Sequence, residues 1–138
     1  MTNKTTENKK AGNGKKILII EDEAALLRTL GDTFQEEGFE VLEAPTGEAG
    51  LEMALSAHPD IILLDLLLPG IGGIDVLKRL RDDAWGRHAE VILLTNIDRD
   101  MKVLADAVEL GAYEYLVKSH WQLSDVIQKV KDKTGLAS

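Results

Sequence analysis

Four short aliphatic runs of this chain end in residues that can do chemistry. KKILII runs into Glu21-Asp22-Glu23, PDIILLDLLLPG carries Asp65, VILLT stops at Thr95 and YEYLVK stops at Lys118. Asp65 is the most informative of them. It interrupts a stretch that is otherwise aliphatic from Ile61 to Leu68, and an unpaired buried charge is costly enough to neutralise itself. A carboxylate is tolerated there if it has partners, or if its strand stops at that point and opens to solvent. Clustered carboxylates repel, and some must protonate unless a cation joins them. Mg²⁺ suits such a cluster because it is hard, prefers oxygen, keeps several waters and needs only one or two carboxylates plus a phosphate. An aspartate can itself attack phosphorus and become an aspartyl phosphate. Lys118 would neutralise one phosphoryl oxygen and the Thr95 hydroxyl would hydrogen-bond another. Phosphoryl transfer asks mainly for positioning and charge stabilisation, and this set supplies both.

The elements that must position these groups follow from periodicity. KKILII, FEVLEA, HPDIILLDLL, AEVILLT and YEYLVK read as strands. Between and after them lie helical patterns. EDEAALLRTLGDTFQEEG places Ala25, Leu26, Leu30 and Phe34 at helical spacing and stops at Gly38. TGEAGLEMALSAH is capped by Thr46, with Glu48 and Glu52 early in the helix and Gly50 as an internal cost. GIDVLKRLRDD puts Ile74, Leu77 and Leu80 on one face; DRDMKVLADAVELG and LSDVIQKVKDK follow. Apolar strands alternating with helices mean a parallel sheet covered on both faces. In such a sheet, functional groups gather outside the carboxyl ends of the strands. All the reactive residues named above fall on that edge, so Asp65 has partners.

The 138 residues make one domain with an aliphatic core, since 44% are hydrophobic but only 4% aromatic. Residues 1–14 are polar and without periodicity and read as a flexible basic tail; 15–133 form the domain and 134–138 a short C-terminal tail. Residues 1–16 carry a net charge of +4 and the remainder −12. An acidic body is a poor binder of nucleic acid, so no direct DNA binding is expected. No apolar run is long enough to span a bilayer, the start lacks a secretory h-region, and there is no cysteine. These point to a cytoplasmic protein that does not associate with membranes. His58, His88 and His120 have no ligand spacing and read as surface residues, while Trp85 and Trp121 read as caps over the core edge.

The pieces ILIIEDE, PDIILLDLLLPG, VILLTN and GAYEYLVKS, in this order and spacing, resemble a response-regulator receiver domain over about residues 15–133. The resemblance implies a doubly wound, flavodoxin-like five-stranded parallel sheet in the order 2-1-3-4-5, with five helices. It implies that Asp65 accepts a phosphoryl group from the phosphohistidine of a sensor histidine kinase or a phosphotransfer protein. Asp22, Asp65 and the main-chain carbonyl of Leu67 would ligate Mg²⁺ (or Mn²⁺), with Glu21 acting through water. Thr95 and Lys118 would bind phosphoryl oxygens. Tyr115 matches the aromatic switch position, and the face formed by the fourth helix, fifth strand and fifth helix would then change its downstream protein partner. Leu67 and Ile97 would flank the approach of water to the phosphoryl group. Such a protein is a signalling switch with self-catalysed phosphorylation and dephosphorylation, rather than an enzyme acting on other molecules.

The chain departs from the family pattern in places. Ser119 replaces the usual proline after Lys118, which predicts a trans Lys118–Ser119 bond, because a cis bond before serine costs ~2.5–4 kcal/mol. Asn96 stands where a small residue is usual, Gly72-Gly73 where Asp-Gly is common, and Gln128 where DNA-binding subfamilies that dimerise through this face often carry arginine. An alternative is a degenerate receiver used as an interaction scaffold; the intact Asp22, Asp65, Thr95 and Lys118 weigh against it. A phosphatase of the aspartyl-phosphate type would want a second Asp at Leu67, and a flavin binder would want a Ser/Thr-rich loop after the first strand.

Overall fold

The computed structural model describes residues 12–112, 114–118 and 121–137, and the backbone alone at 97–100. Five strands, β1 (Lys16–Ile20), β2 (Glu40–Ala44), β3 (Ile61–Asp65), β4 (Val91–Thr95) and β5 (Glu114–Val117), alternate with helices α1 (Ala24–Glu36), α2 (Gly47–Ala57), α3 (Gly73–Asp82), α4 (Ile97–Glu109) and α5 (Leu123–Thr134). A 3₁₀ turn at Gly86–His88 precedes β4. The strands are parallel, as the alternating pattern implies, and ordered β2-β1-β3-β4-β5, as the resemblance implies.

Why the central strands are apolar at nearly every position is visible in the packing. Side chains alternate across a strand, and here both faces are covered. Leu18, Ile20, Ile62, Leu64, Val91 and Leu93 pack with Ala54, Leu77, Leu80, Leu104 and Ala107 of α2, α3 and α4. Ile17, Ile19, Ile61, Leu63, Ile92, Leu94 and Leu116 pack with Leu27, Leu30, Phe34, Val126 and Val130 of α1 and α5. Phe34 and Phe39 meet edge-to-face at 5.4 Å and close the lower end of the second core.

The stripe that α1 buries is Leu27, Leu30, Gly31 and Phe34. Ala25, expected on that face, is exposed, because two residues before Leu27 is about 200° around a helix of 3.6 residues per turn. Thr46 caps α2 by accepting a bond from Ala49 N at 3.1 Å. Gly50 is kept by packing: a Cβ there would strike the Ile20 side chain at 2.5 Å. Trp85 and Trp121 lie against the first and second core, and the Trp85 ring stacks on His58 with centroids 4.5 Å apart.

Contacts extend past residues 15–133 at both ends. Asn13 donates from its main chain to Gly38 O at 3.0 Å and from Nδ2 to Glu37 O at 3.1 Å. At the other end Leu136 packs on the second core. The expected trans Lys118–Ser119 bond and the surface position of His120 lie outside the described residues.

Candidate functional site

Each reactive residue is delivered by the end of a strand, and strand parity decides which side of the sheet it reaches. Asp65 closes β3 and shares the parity of Ile61 and Leu63, which face α1 and α5. Glu21 follows β1 with the parity of Ile17 and Ile19, and its N–H continues the pairing to Ala44 O at 3.1 Å. Lys118 follows β5 with the parity of Leu116, and its N–H donates to Thr95 O at 2.7 Å. These three therefore converge. Lys118 Nζ lies 2.8 Å from Glu21 Oε1 and 3.0 Å from Asp65 Oδ2.

The cluster is unusually buried for its charge. Glu21 is 0% and Asp65 3% exposed, while Asp22 is exposed. Carboxylate oxygens of Glu21, Asp22 and Asp65 lie within 4.8 Å of one another. Two main-chain N–H groups help: Glu23 N donates to Glu21 Oε2 at 2.9 Å and Leu67 N to Asp65 Oδ1 at 3.0 Å. Even so, burial, and next the Glu21 charge, push the Asp65 carboxyl up from 3.8 to about 7, against the pull of Lys118 and the Leu67 N–H. Burial by itself lowers the Lys118 ammonium, but the Glu21 and Asp65 carboxylates outweigh it and hold the net value above the ordinary one. Three carboxylates against one ammonium leave the group negative.

A cleft of about 390 Å³ opens over these side chains, lined by Glu21, Asp22, Glu23, Asp65, Leu67, Asn96 and Lys118. Leu67, 41% exposed, stands at its mouth. Thr95 is not among the lining residues. It is 0% exposed and has the parity of Val91 and Leu93, which face α3 and α4. Tyr115 pairs in register with Leu93, shares that face and is 39% exposed. Thr95 and Tyr115 thus lie together on the opposite side of the sheet from Asp65. Ile97 is the first residue of α4, one position before the helix expected from sequence; its side chain lies outside the described residues.

Two features escape motif reading. Gly73 leads α3 directly under Asp65. A Cβ there would run into the Asp65 carbonyl oxygen and lie 2.7 Å from Leu66 Cα, and Gly73 N donates to Leu66 O at 3.1 Å. The glycine pair after β3 was the only signal of this closeness. At the other end of the sheet, Arg81 ties together loops that no pattern connects. Its Nε donates to Leu110 O at 2.7 Å, and its Nη1 to Gly86 O at 2.7 Å and Ala89 O at 2.9 Å.

The model of the response regulator receiver domain matches residues 17–131. The chain belongs to this family. Receiver domains are the signalling switches of two-component systems. Among curated proteins, the response regulator PleD of Caulobacter vibrioides is 38% identical over 75% of this chain and 22% of its own length. The chain thus spans about a fifth of that relative. The polar-differentiation response regulator DivK of Brucella ovis is 30% identical over 88% of this chain and 97% of its own. Among solved structures, the receiver domain of sensor histidine kinase PA1611 from Pseudomonas aeruginosa has a TM-score of 0.79 at 22% identity and covers 88% of this chain and 98% of its own. It was solved with a magnesium ion coordinated in its active-site cleft. At that identity the likeness concerns the fold. No helix among the described residues is long and apolar enough to cross a membrane.

Proposed function

We propose that this receiver takes a phosphoryl group onto Asp65 from the phosphohistidine of a sensor histidine kinase or phosphotransfer protein, and that the modification changes which protein it binds. The observation that carries the reading is the Asp65 carboxylate itself. It ends β3 beneath an open cleft, 3.0 Å from the Lys118 ammonium and within 4.8 Å of two further acids. In the transfer an Asp65 oxygen forms a bond to phosphorus as the bond from phosphorus to the donor imidazole breaks. The electron pair returns to that nitrogen.

The donor set suits Mg²⁺ or Mn²⁺. It consists of hard oxygens, and its excess of negative charge is what a divalent cation offsets. Asp22, Asp65 and the Leu67 carbonyl would hold the ion, with Glu21 acting through water. The ion would neutralise charge on the phosphoryl oxygens. The coordinated magnesium in the PA1611 receiver supports the assignment by likeness of fold. Lys118 leaves its contact with Asp65 Oδ2 for a phosphoryl oxygen and keeps Glu21 as its counter-ion. Thr95 reaches the group only by a shift of the end of β4. That shift empties space on the face it shares with Tyr115, and the half-exposed ring follows. The surface formed by α4, β5 and α5 is then the one read by the downstream protein.

Incubation with acetyl phosphate and Mg²⁺, followed by intact mass, tests the proposal. One phosphoryl adduct is expected, absent in Asp65→Asn and absent on chelation of the metal. An unmodified wild-type protein, or an adduct retained in Asp65→Asn, would overturn it.

A further inference from the structure

At β5 the sheet stops without being closed off, because this strand pairs with β4 alone. In a parallel ladder a bonded residue serves the two neighbours of the residue opposite it. Thr95 is in register with Val117, and its carbonyl takes the Lys118 N–H at 2.7 Å. Leu93, in register with Tyr115, serves Glu114 and Leu116 by the same rule. The main-chain N–H and C=O groups of Tyr115 and Val117 therefore point away from β4, to the open edge. Among the described residues no hydrogen bond covers them there. Such an edge is a template for another strand and is usually blunted by lysine, proline or a bulge. β5 reads EYLV in unbroken register and has none of these. The opposite edge, β2, carries the exposed Glu40 and Glu43. In β5 the single charged side chain, Glu114, is drawn to α5, 3.0 Å from Lys129 Nζ and 3.5 Å from Lys133 Nζ.

A groove of about 460 Å³ lies where this edge meets α5. Its lining includes Tyr115, Val117, Trp121 and, from α5, Asp125, Lys129 and Asp132. Asp125 and Asp132 are exposed, and the Lys129 ammonium is matched by Glu114, so the α5 wall is net negative. On the other face of β5 stands the Tyr115 ring, 39% exposed. Side chains of an added strand would alternate between these two surroundings. Those turned to α5 meet carboxylates, and those turned the other way meet the tyrosine. Charge also decides against a second copy of this chain, which would bring the same α5 acids to the edge.

Resting on the reading of α4, β5 and α5 as the surface a partner protein reads, we infer that the free edge of β5 takes an extended segment of that partner as a sixth strand, with basic and apolar side chains in alternation. The main chains of Tyr115 and Val117 supply the hydrogen bonds, as in other strand additions. Basic side chains lie against Asp125 and Asp132, and apolar ones beside Tyr115. Main-chain bonding sets the affinity, and the alternation sets which segment fits.

The probe is a short end-blocked peptide of alternating lysine and valine. It is titrated into the unmodified protein and followed by calorimetry, and by the fluorescence of Trp121 in a Trp85→Phe background. Binding is expected, weakened by salt and lost when glutamate replaces lysine in the peptide. Two N-methylated forms test the backbone, one methylated on the lysine amides and one on the valine amides. Successive N–H groups of a strand point to opposite edges, so only one set faces β5. One form is expected to bind at least about tenfold more weakly, the worth of a lost hydrogen bond, and the other as the parent peptide does. Val117→Pro, which removes an outward N–H and spares the ladder to β4, should weaken the parent peptide about tenfold. If that variant also unfolds at lower urea, the methylated peptides decide alone. Equal binding of the two methylated forms overturns the inference, as does a parent peptide that does not bind. Self-association of the chain that excludes the peptide overturns it too and assigns the edge to a second copy. The titration needs no phosphorylation, so a missing acetyl phosphate adduct removes the phosphoacceptor reading and a missing peptide complex removes the strand edge.

Discussion

Replacing Asp65 by asparagine makes the electrostatic cost of the acid cluster measurable. In the folded protein the Asp65 carboxyl is pushed up from 3.8 to about 7, by burial first and by Glu21 second. The unfolded chain holds the same group near its ordinary value. Below pH 4 both states are protonated and the native contribution is complete. As pH rises the unfolded state ionises first and the folded state keeps its proton, so stability falls with pH until the folded group titrates near 7. Between pH 5 and pH 8 the area between the two proton-binding curves is about two pH units, or about 2–3 kcal/mol. That is a substantial part of the 5–15 kcal/mol that holds a typical domain folded.

The carboxamide of the Asp65→Asn variant has no proton to lose. It keeps an acceptor for the Leu67 N–H, which lies 3.0 Å from Asp65 Oδ1, and leaves Lys118 paired with Glu21 at 2.8 Å. In metal-free buffer the variant is therefore expected to gain about 2–3 kcal/mol on the wild type between pH 5 and pH 8. Urea unfolding followed by the fluorescence of Trp85 and Trp121 measures it at each pH. Saturating Mg²⁺ at pH 8 should restore the wild type, by about 2.7 kcal/mol at a hundredfold excess over its dissociation constant, and leave Asp65→Asn nearly unchanged. Stability curves for the two proteins that run parallel from pH 5 to pH 8 would refute the account of a strained carboxylate.

Gly73→Ala should destabilise the domain by about 1–3 kcal/mol, the usual range for overpacking, and slow phosphorylation. A Cβ there meets the Asp65 carbonyl and Leu66 Cα; unchanged urea midpoint and rate would show that the loop yields freely. Asp22→Ala should lose most of its Mg²⁺ affinity in a fluorescence titration, whereas retention of wild-type affinity would remove Asp22 from the ligand set. Leu67→Asn, Ile97→Glu and their combination should shorten the life of the phosphorylated protein once donor is stripped away, because polar groups flanking the approach of water, as the resemblance implies for these two positions, can orient it. If the wild type decays as fast as the double variant, apolar shielding at these positions does not set the lifetime.

The strand-end set was legible from sequence because it needs only two facts: where each apolar run stops, and that parallel sheets gather function at one edge. Facing was not legible. Leu18 and Ile19 carry equally apolar side chains toward opposite cores, so no polar residue marks the period of two. The segregation of Glu21, Asp65 and Lys118 from Thr95 and Tyr115 emerges only with the register. Gly73 and Arg81 were hidden for a related reason. Their roles depend on backbone atoms, the Asp65 carbonyl in one case and the carbonyls of Gly86, Ala89 and Leu110 in the other, and a backbone atom leaves no trace in residue identity.

The distribution of burial argues for where a change at Asp65 is passed on. β3 and β4 are buried at every position, and close packing makes such strands poor at deforming. β5 is an edge strand and has one partner; of its residues only Leu116 is buried. α4 is fastened at its far end, where Arg81 holds the Leu110 carbonyl at 2.7 Å and Ala107 is wholly buried. Its near end begins two residues after Thr95 and lacks a side-chain cap. Helix ends whose first N–H groups are not capped by a side chain are the least costly to rearrange. A pull on Thr95 from the cleft therefore meets a rigid sheet on one side and, on the other, a helix start without a side-chain cap beside an exposed Tyr115. Under the proposed function that path leads to α4 and β5, where Met101 at 61% and Val108 at 40% exposure present apolar surface.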